Sequence, residues 1–392
     1  MRILFLSFYF RPDLSAGSFR AESLVESLVE CFPHHTEIEI ITTLPNRYSS
    51  YVLNALEFEQ RDNVVIRRIR IPNHSSGMID QAKAYAVFAR EALRISRDKN
   101  YDLVYATSSR LMTAALGACI SKKLKSPLYL DIRDIFVDTI KDVLPKNVST
   151  IARVFFSIIE RWTIHRAERV NLVSAGFLDY FQDRYPEKRY DLFTNGIDSE
   201  FIAAQPLNHT ISESRVLSVV YAGNMGEGQG LHNIIPGLAI KFRGCLNFKL
   251  VGDGGRKKQL LSALDAAGCD NVEMIPPVTR DELLKLYQEA DVLFLHLNDH
   301  DAFRKVLPSK IFEYAAVGKP IWAGVAGHAA DFINSNISNS SVFMPCDVAG
   351  AVEAFSRLEL VTQPRFEFTQ NFSRKNIMKK MAESVMHVAR NQ

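Results

Sequence analysis

Lys310 and Glu313 stand one helical turn apart in the segment Leu307-Pro308-Ser309-Lys310-Ile311-Phe312-Glu313. Together they could hold a nucleotide, the ammonium on a diphosphate and the carboxylate accepting hydrogen bonds from ribose hydroxyls. Pro308 and Ser309 suit a helix start, which puts Lys310 in the first turn. A cation there works against the helix dipole unless an anion lies beside it. The same spacing also fits a plain surface ion pair worth at most about 0.5 kcal/mol, and on spacing alone the two readings stand level. Two glycine-rich stretches, Val220–Gly230 and Leu250–Gly255, place Gly223, Gly226, Gly252 and Gly254 at successive strand-to-helix turns. Glycines there let backbone N–H groups approach a phosphate. Neither stretch is GxxxxGK[ST], and the first strand candidate is not followed by GxGxxG. Both facts count against a P-loop NTPase and an ordinary NAD-binding fingerprint. Asp131-Ile132-Arg133-Asp134 closes another strand candidate. Asp134 is its candidate functional carboxylate, set against an internal neutralisation of Arg133 by Asp134 or Asp131. The triplet Asp299-His300-Asp301 could grip a divalent cation but reads better as a polar surface loop, so no metal is expected. Of the histidines, His296 and His328 lie nearest these segments.

The elements that must position these residues alternate along the whole chain. Strand candidates are Ile3–Phe10, Thr36–Thr42, Val64–Ile71, Leu103–Thr107, Leu128–Ile132 and Val170–Val173. Between and after them, helices are expected at Ala21–Phe32, 78–98, Leu111–Lys123, 148–168 and Phe177–Arg184. After the polar stretch Leu207–Ser214 the pattern restarts, with strands at Val216–Ala222, Asn247–Val251, Glu273–Ile275, Val292–Leu297, Pro320–Trp322 and Val342–Met344. Its helices are expected at Leu231–Ile240, Arg256–Ala267, Arg280–Glu289, Ser309–Ala316 and Ala349–Leu358. Ser373–Ala389 reads as a final amphipathic helix. Such alternation predicts βαβ units around parallel sheets. The expectation is an α/β chain of two doubly wound domains facing across a cleft, residues 1–204 and 205–370, with 371–392 as a terminal helix.

With 392 residues, 47% hydrophobic and 23% charged, the composition is that of a folded globular chain. A net charge of +3 argues against nucleic acid as partner. No two of the five cysteines are closer than 24 residues, so zinc-type spacing is absent and buried, reduced thiols are expected. No run of 18 apolar residues suggests a membrane span, and the short apolar opening reads as a strand, not a leader. A cytoplasmic location follows as an expectation.

Leu307–Pro320, Gly223–Gly230, Gly252–Gly254 and Ala290-Asp291-Val292 together resemble retaining glycosyltransferases of the two-domain GT-B fold, in carbohydrate-enzyme family four. Phe8-Tyr9-Phe10-Arg11-Pro12, Gly17-Ser18-Phe19-Arg20, Asp131–Asp134, Thr194–Asp198 and Gly324–Ala330 resemble its bacterial surface-polysaccharide branch, typified by L-fucosamine (N-acetyl-fucosamine) transferases. The resemblance implies that the second domain binds a nucleotide-diphosphate sugar, UDP-linked, and needs no further cofactor. Glu313 would hold the ribose, Lys310 and Gly223–Gly226 the diphosphate, and Pro277 and Val278 would line the base. Ser309 would sit beside Lys310 in the same donor-binding turn. Gly17 would approach the donor from the first domain, with Arg20, Arg133 and Asp134 on the acceptor side. Asp134, Lys310 and Glu313 would be the catalytic set. The C-terminal helix would cross back onto the first domain. Lys305 stands where the family carries the first glutamate of Glu-x7-Glu, and Asn224 and Gln229 stand where many members place Arg and Lys. Positive charge would then come from Lys310, Lys305, Arg304 and Arg256. His328 replaces a glutamate common in the branch.

The implied acceptor is an undecaprenyl-diphosphate-linked sugar, which would bring the chain to the inner face of the membrane in O-antigen, capsule or exopolysaccharide synthesis. Residues 61–125 hold 13 Lys/Arg against 5 Asp/Glu, a surplus suited to anionic lipid. The helix Ala152–Ala167 mixes Val154, Phe155, Ile158, Ile159 and Trp162 with Arg153, Arg161 and Arg166, suiting either an interface or a core-facing helix with solvated arginines. The rival functions are a UDP-sugar epimerase of the same fold and a non-catalytic nucleotide-binding scaffold.

Overall fold

The computed structural model describes residues 1–32, 36–46, 54–72, 78–108, 111–138, 146–204, 209–210 and 215–390. The chain divides into two units, Met1–Asn195 with Arg374–Gln392, and Gly196–Ser373. The first break therefore falls nine residues before the expected 204/205. Helix Ser199–Ala203 belongs to the second unit because Arg280 holds Asp198 at 2.5 Å and Glu200 at 2.6 Å. The polar stretch 207–214 lies largely outside the described residues.

The first unit runs β1 (Arg2–Leu6), α1 (Ala16–Cys31), β2 (Glu37–Thr43), β3 (Phe58–Arg61), β4 (Val64–Ile69), α2 (Met78–Ser96), β5 (Leu103–Thr107), α3 (Leu111–Leu124), β6 (Leu128–Ile132), α4 (Lys146–Arg166), β7 (Arg169–Leu172), α5 (Leu178–Arg184) and β8 (Tyr190–Asp191). Its sheet has the order β3-β4-β2-β1-β5-β6-β7-β8. All pairs are parallel except β3 with β4. The central strands are apolar on both faces because helices cover both, and Ile3, Leu4, Phe5 and Leu6 are wholly buried. The C-terminal helix Arg374–Arg390 packs on α1 through Met378, Met381, Val385 and Met386.

Three readings need correction here. The opening strand stops at Leu6, not Phe10. Helix α1 begins at Ala16, not Ala21, because the Ser15 hydroxyl caps it, accepting from Ser18 N at 3.1 Å. Gly17 therefore lies in a helical first turn rather than a loop. The cysteines are all free, yet Cys245 is exposed and the other four are only partly covered.

The second unit runs α6 (Ser199–Ala203), β9 (His209–Thr210), β10 (Leu217–Asn224), α7 (Leu231–Lys241), β11 (Leu246–Asp253), α8 (Lys257–Ala266), β12 (Val272–Ile275), α9 (Arg280–Glu289), β13 (Val292–His296), α10 (Lys310–Val317), β14 (Ile321–Gly324), α11 (His328–Asn336), β15 (Ser340–Phe343), α12 (Val348–Ser356), β16 (Val361–Thr362) and α13 (Phe366–Asn371). Its main sheet, β12-β11-β10-β13-β14-β15, is parallel throughout. Strands β9 and β16 form a separate antiparallel pair. Each unit thus carries a sheet that is wound on both faces, the Rossmann-like architecture.

Candidate functional site

Helix α10 places Lys310 and Glu313 on one face. Glu313 is buried, and its Oε2 accepts from Lys310 Nζ at 2.7 Å and from the Tyr287 hydroxyl at 3.3 Å. Burial, with Tyr314 and the Glu313 charge nearby, pushes the Tyr287 hydroxyl well above its ordinary range, so it stays a donor toward the carboxylate. The pair is therefore no exposed surface bridge. Ser309 occupies the N-cap position without a side-chain cap bond, and the first-turn amides of Ile311 and Phe312 donate to Pro308 O and Ser309 O, both at 3.2 Å.

The far end of α10 is fixed just as firmly. The Tyr314 hydroxyl accepts from Ala222 N at 3.0 Å, tying the helix to the carboxyl half of β10. Arg365, buried and without a carboxylate, donates to Ala315 O at 3.1 Å and to carbonyls of Ser338 and Lys319. Burial lowers its guanidinium to about 10. Gly318 ends the helix in a left-handed conformation, φ 76°.

The glycines sit differently from the sequence reading. Gly223, Asn224 and Gly252 are still within paired strands, with Gly223 opposite Gly252. Gly252 has φ +136°, and a Cβ there would come 2.0 Å from Gly223 O; one on Gly254 would come 2.5 Å from the backbone of Met225. The glycines thus answer first to the close approach of two chain segments. Several amides of these turns are engaged internally: Met225 N with Asp253 O at 2.9 Å, Gly226 N with Gln229 Oε1 at 3.3 Å, and Gly254 N with Asp253 Oδ1 at 2.8 Å. Asn224 Nδ2 also donates to Gln229 Oε1, at 2.9 Å.

Two residues at the end of β13 anchor that turn. His296 Nδ1 meets Gln229 O at 2.7 Å, while its Nε2 accepts from Cys346 N at 2.9 Å. The second bond requires an unprotonated Nε2, so the proton sits on Nδ1 and the ring donates to Gln229 O. Burial depresses this imidazole to about 4. Asn298 N donates to Gly228 O at 2.8 Å, and its amide to Glu227 O at 2.9 Å. Asn298 was not singled out in the sequence; its only signal was its place just beyond an apolar strand.

The expected cations are distributed unevenly. Arg256 pairs with Glu227 at 2.5 Å. Arg304 reaches Asp299 at 3.5 Å and Asp301 at 3.7 Å. The Asp-x-Asp carboxylates are thus answered by a guanidinium, and no group of three metal-ligating side chains occurs among the described residues. Lys305 closes the short helical turn Asp301–Lys305 and is partly buried. Gly327 lies against the Arg304 backbone, which brings His328, the first residue of α11, beside that turn. Val278 packs on the hydrophobic core of the unit, and Pro277 precedes it in the connection before Thr279, which caps α9.

In the first unit Arg20 has a different place from the one expected. It is 1% exposed and donates to both Asp131 oxygens at 2.8 and 3.0 Å, and to Thr194 O and Phe193 O at 2.7 and 2.8 Å. Asn171 adds a further bond to Asp131 at 2.7 Å. Arg20 is therefore a buried clamp at the end of β6, not an acceptor-facing cation, and it pairs directly with Asp131, with the Arg133 charge adding to it. Arg133 lies within 3.7 Å of where a Cβ on Gly17 would be, and its buried Nη1 has no hydrogen-bond partner among the described residues. Burial, offset in part by Asp131, lowers its guanidinium. Asp134 is exposed.

Two family descriptions match the chain. Residues 18–196 fit a glycosyl transferase 4-like domain, and residues 211–375 fit glycosyl transferases group 1. A colanic acid biosynthesis protein of Escherichia coli K12, assigned as glycosyl transferase WcaI, is 35% identical over 100 residues. That match spans 26% of this chain and 24% of the relative. Among solved structures, sucrose-phosphate synthase of Thermosynechococcus elongatus superposes with a TM-score of 0.75 at 13% identity, covering 99% of this chain and 98% of that one. Anabaena Alr3699/HepE in complex with UDP-glucose gives 0.66 at 16% identity, covering 99% and 100%. WaaG, a glycosyltransferase involved in lipopolysaccharide biosynthesis, gives 0.61 at 15% identity, covering 100% and 95%. At such identities the superpositions establish the fold, and the family descriptions apply half by half: the chain has the GT-B fold, with a glycosyl transferase 4-like domain at residues 18–196 and a glycosyl transferases group 1 domain at residues 211–375.

Proposed function

We propose that the chain transfers a sugar, an N-acetylated deoxyhexosamine, from a UDP-linked donor to an undecaprenyl-diphosphate-linked acceptor at the inner face of the cell membrane. The observation that carries this reading is the Lys310–Glu313 pair in the first turn of α10, with its carboxylate buried. A carboxylate held by one ammonium and one hydroxyl keeps further lone pairs for ribose hydroxyls. The Lys310 side chain, about a quarter exposed, turns from Glu313 toward a diphosphate at the positive end of the α10 dipole. HepE, with UDP-glucose bound, supports UDP as the nucleotide, and WcaI and WaaG support a surface glycan as the product.

Transfer with retention asks the protein to place an acceptor hydroxyl on the face the diphosphate leaves, and to stabilise that leaving charge. Lys310 and the α10 first turn supply the stabilisation, and the departing phosphate takes the acceptor proton. Asp134, exposed on the first unit, orients the acceptor. The Arg304 contacts with Asp299 and Asp301 support a reaction that needs no metal. The test is incubation with UDP-N-acetylhexosamines and undecaprenyl-diphosphate-linked sugars, with the product anomer read by NMR. An α-linked product from an α-donor, formed in the presence of EDTA, is expected. Inversion or EDTA inhibition would refute the mechanism, and transfer from GDP-sugars alone would refute the donor.

A further inference from the structure

Helix α4 of the first unit leaves apolar side chains uncovered. Val154 is 58% exposed, Phe155 57%, Ile158 65% and Trp162 39%. No other described helix carries more than one large apolar residue so exposed. The four form a stripe of about 12 Å along the axis. The helix meets the core on a different side: Phe156 packs edge-on against Phe136, and Thr163 and Ile164 are buried. Glu160, the sole acid of α4, turns inward and accepts from the Tyr180 and Tyr185 hydroxyls, both at 3.0 Å. The stripe is therefore not the core face of α4.

The charges beside the stripe are mostly cationic. Arg161 is exposed next to the stripe, while Arg153 lies on the other side of α4, in a pocket with Asp138, Glu160 and Tyr180. Arg166 donates to Ser121 O and Ser126 O at 3.1 and 2.9 Å, which seats the end of α3 by the end of α4. Lys122, Lys123 and Lys125 are exposed there, and the nearby Glu187 is engaged by His165. The basic surplus of residues 61–125 is otherwise weaker than its count suggests. Arg67 and Lys99 are answered by Glu39, Arg68 by Glu59 and Arg70 by Glu57.

We infer that α4 is the membrane-docking element: Val154, Phe155, Ile158 and Trp162 enter the headgroup–acyl boundary of an anionic bilayer while Arg161 and the α3 lysines meet lipid phosphates. A branched and aromatic stripe with a tryptophan and cationic flanks is the composition of an interfacial helix. This rests on the proposed lipid-linked acceptor and names the surface that reaches it.

The test uses the full chain with vesicles of phosphatidylglycerol or phosphatidylcholine. The protein has two tryptophans, and Trp322 is wholly buried, so changes in emission report on Trp162. Binding to phosphatidylglycerol at low salt, weak binding to phosphatidylcholine, and a blue shift of Trp162 are expected. The Phe155→Glu, Ile158→Glu double variant should bind at least about tenfold more weakly, with UDP affinity and Tm unchanged. Absence of wild-type binding to phosphatidylglycerol, undiminished binding by the double variant, or a dimer that the double variant dissolves would each overturn the inference. UDP binding is read separately, so either reading can fail without the other.

Discussion

The anchoring of the Asn224–Gly230 turn by a neutral His296 makes the second unit sensitive to acid. The imidazole is depressed from 6.5 to about 4, chiefly by burial. Above pH 6.5 it is neutral both folded and unfolded and adds no pH dependence. Between 6.5 and about 4 the unfolded chain binds a proton that the folded one does not, so stability falls as pH falls. At about 1.4 kcal/mol per pH unit the full loss approaches about 3 kcal/mol. Protonation also removes the acceptor for Cys346 N–H, freeing the turn from the segment that follows β15. The assay is the urea midpoint followed from pH 7.5 to 4 for wild type and His296→Asn. Carboxylates titrate in both proteins, so the difference between the two curves isolates the imidazole. The variant should be less stable at pH 7.5 by about 1–3 kcal/mol, and the gap should narrow or reverse as pH falls. Parallel curves over this range would refute the neutral-imidazole anchor.

Other perturbations separate structural from nucleotide-binding roles. Gly252→Ala should lower stability by at least about 3 kcal/mol, since the new Cβ meets Gly223 O at a φ of +136°; a near-normal Tm would contradict the close approach of β10 and β11. Arg20→Met leaves Asp131 buried without its bidentate partner and should cost about 3–5 kcal/mol in urea unfolding, whereas a stable variant impaired only in acceptor use would restore Arg20 to the acceptor side. Tyr287→Phe removes one bond to Glu313 and should weaken UDP binding by about 0.5–1.5 kcal/mol in calorimetry; unaltered affinity would show that Lys310 alone positions the carboxylate.

Most of the fold was legible because its strands are apolar on both faces and its helices amphipathic. What escaped was short or polar. Strand β3, Phe-Glu-Gln-Arg, has no apolar pattern, and β8, β9 and β16 span two residues each, too few for a period. Helix α1 starts in Ala-Gly-Ser, whose helical state depends on the Ser15 cap rather than on periodicity. The spacing of Lys310 and Glu313 showed that they could pair, but not that Tyr287, 26 residues away, buries with them. Arg20 and Asp131 are 111 residues apart, and nothing local marks either as internal. Glu39 is similar: a carboxylate inside an Ile-rich strand, 1% exposed and held low by bonds from Lys99, Tyr101 and Arg67 that outweigh its burial.

The most direct test of the central claim is calorimetric titration of UDP into wild type and Glu313→Gln. That substitution keeps the volume but removes the charge that pairs with Lys310. The account predicts saturable UDP binding by wild type and a loss of at least about tenfold in the variant, equivalent to about 1.4 kcal/mol, with an unchanged Tm. Equal affinities, or no UDP binding by wild type, would contradict it.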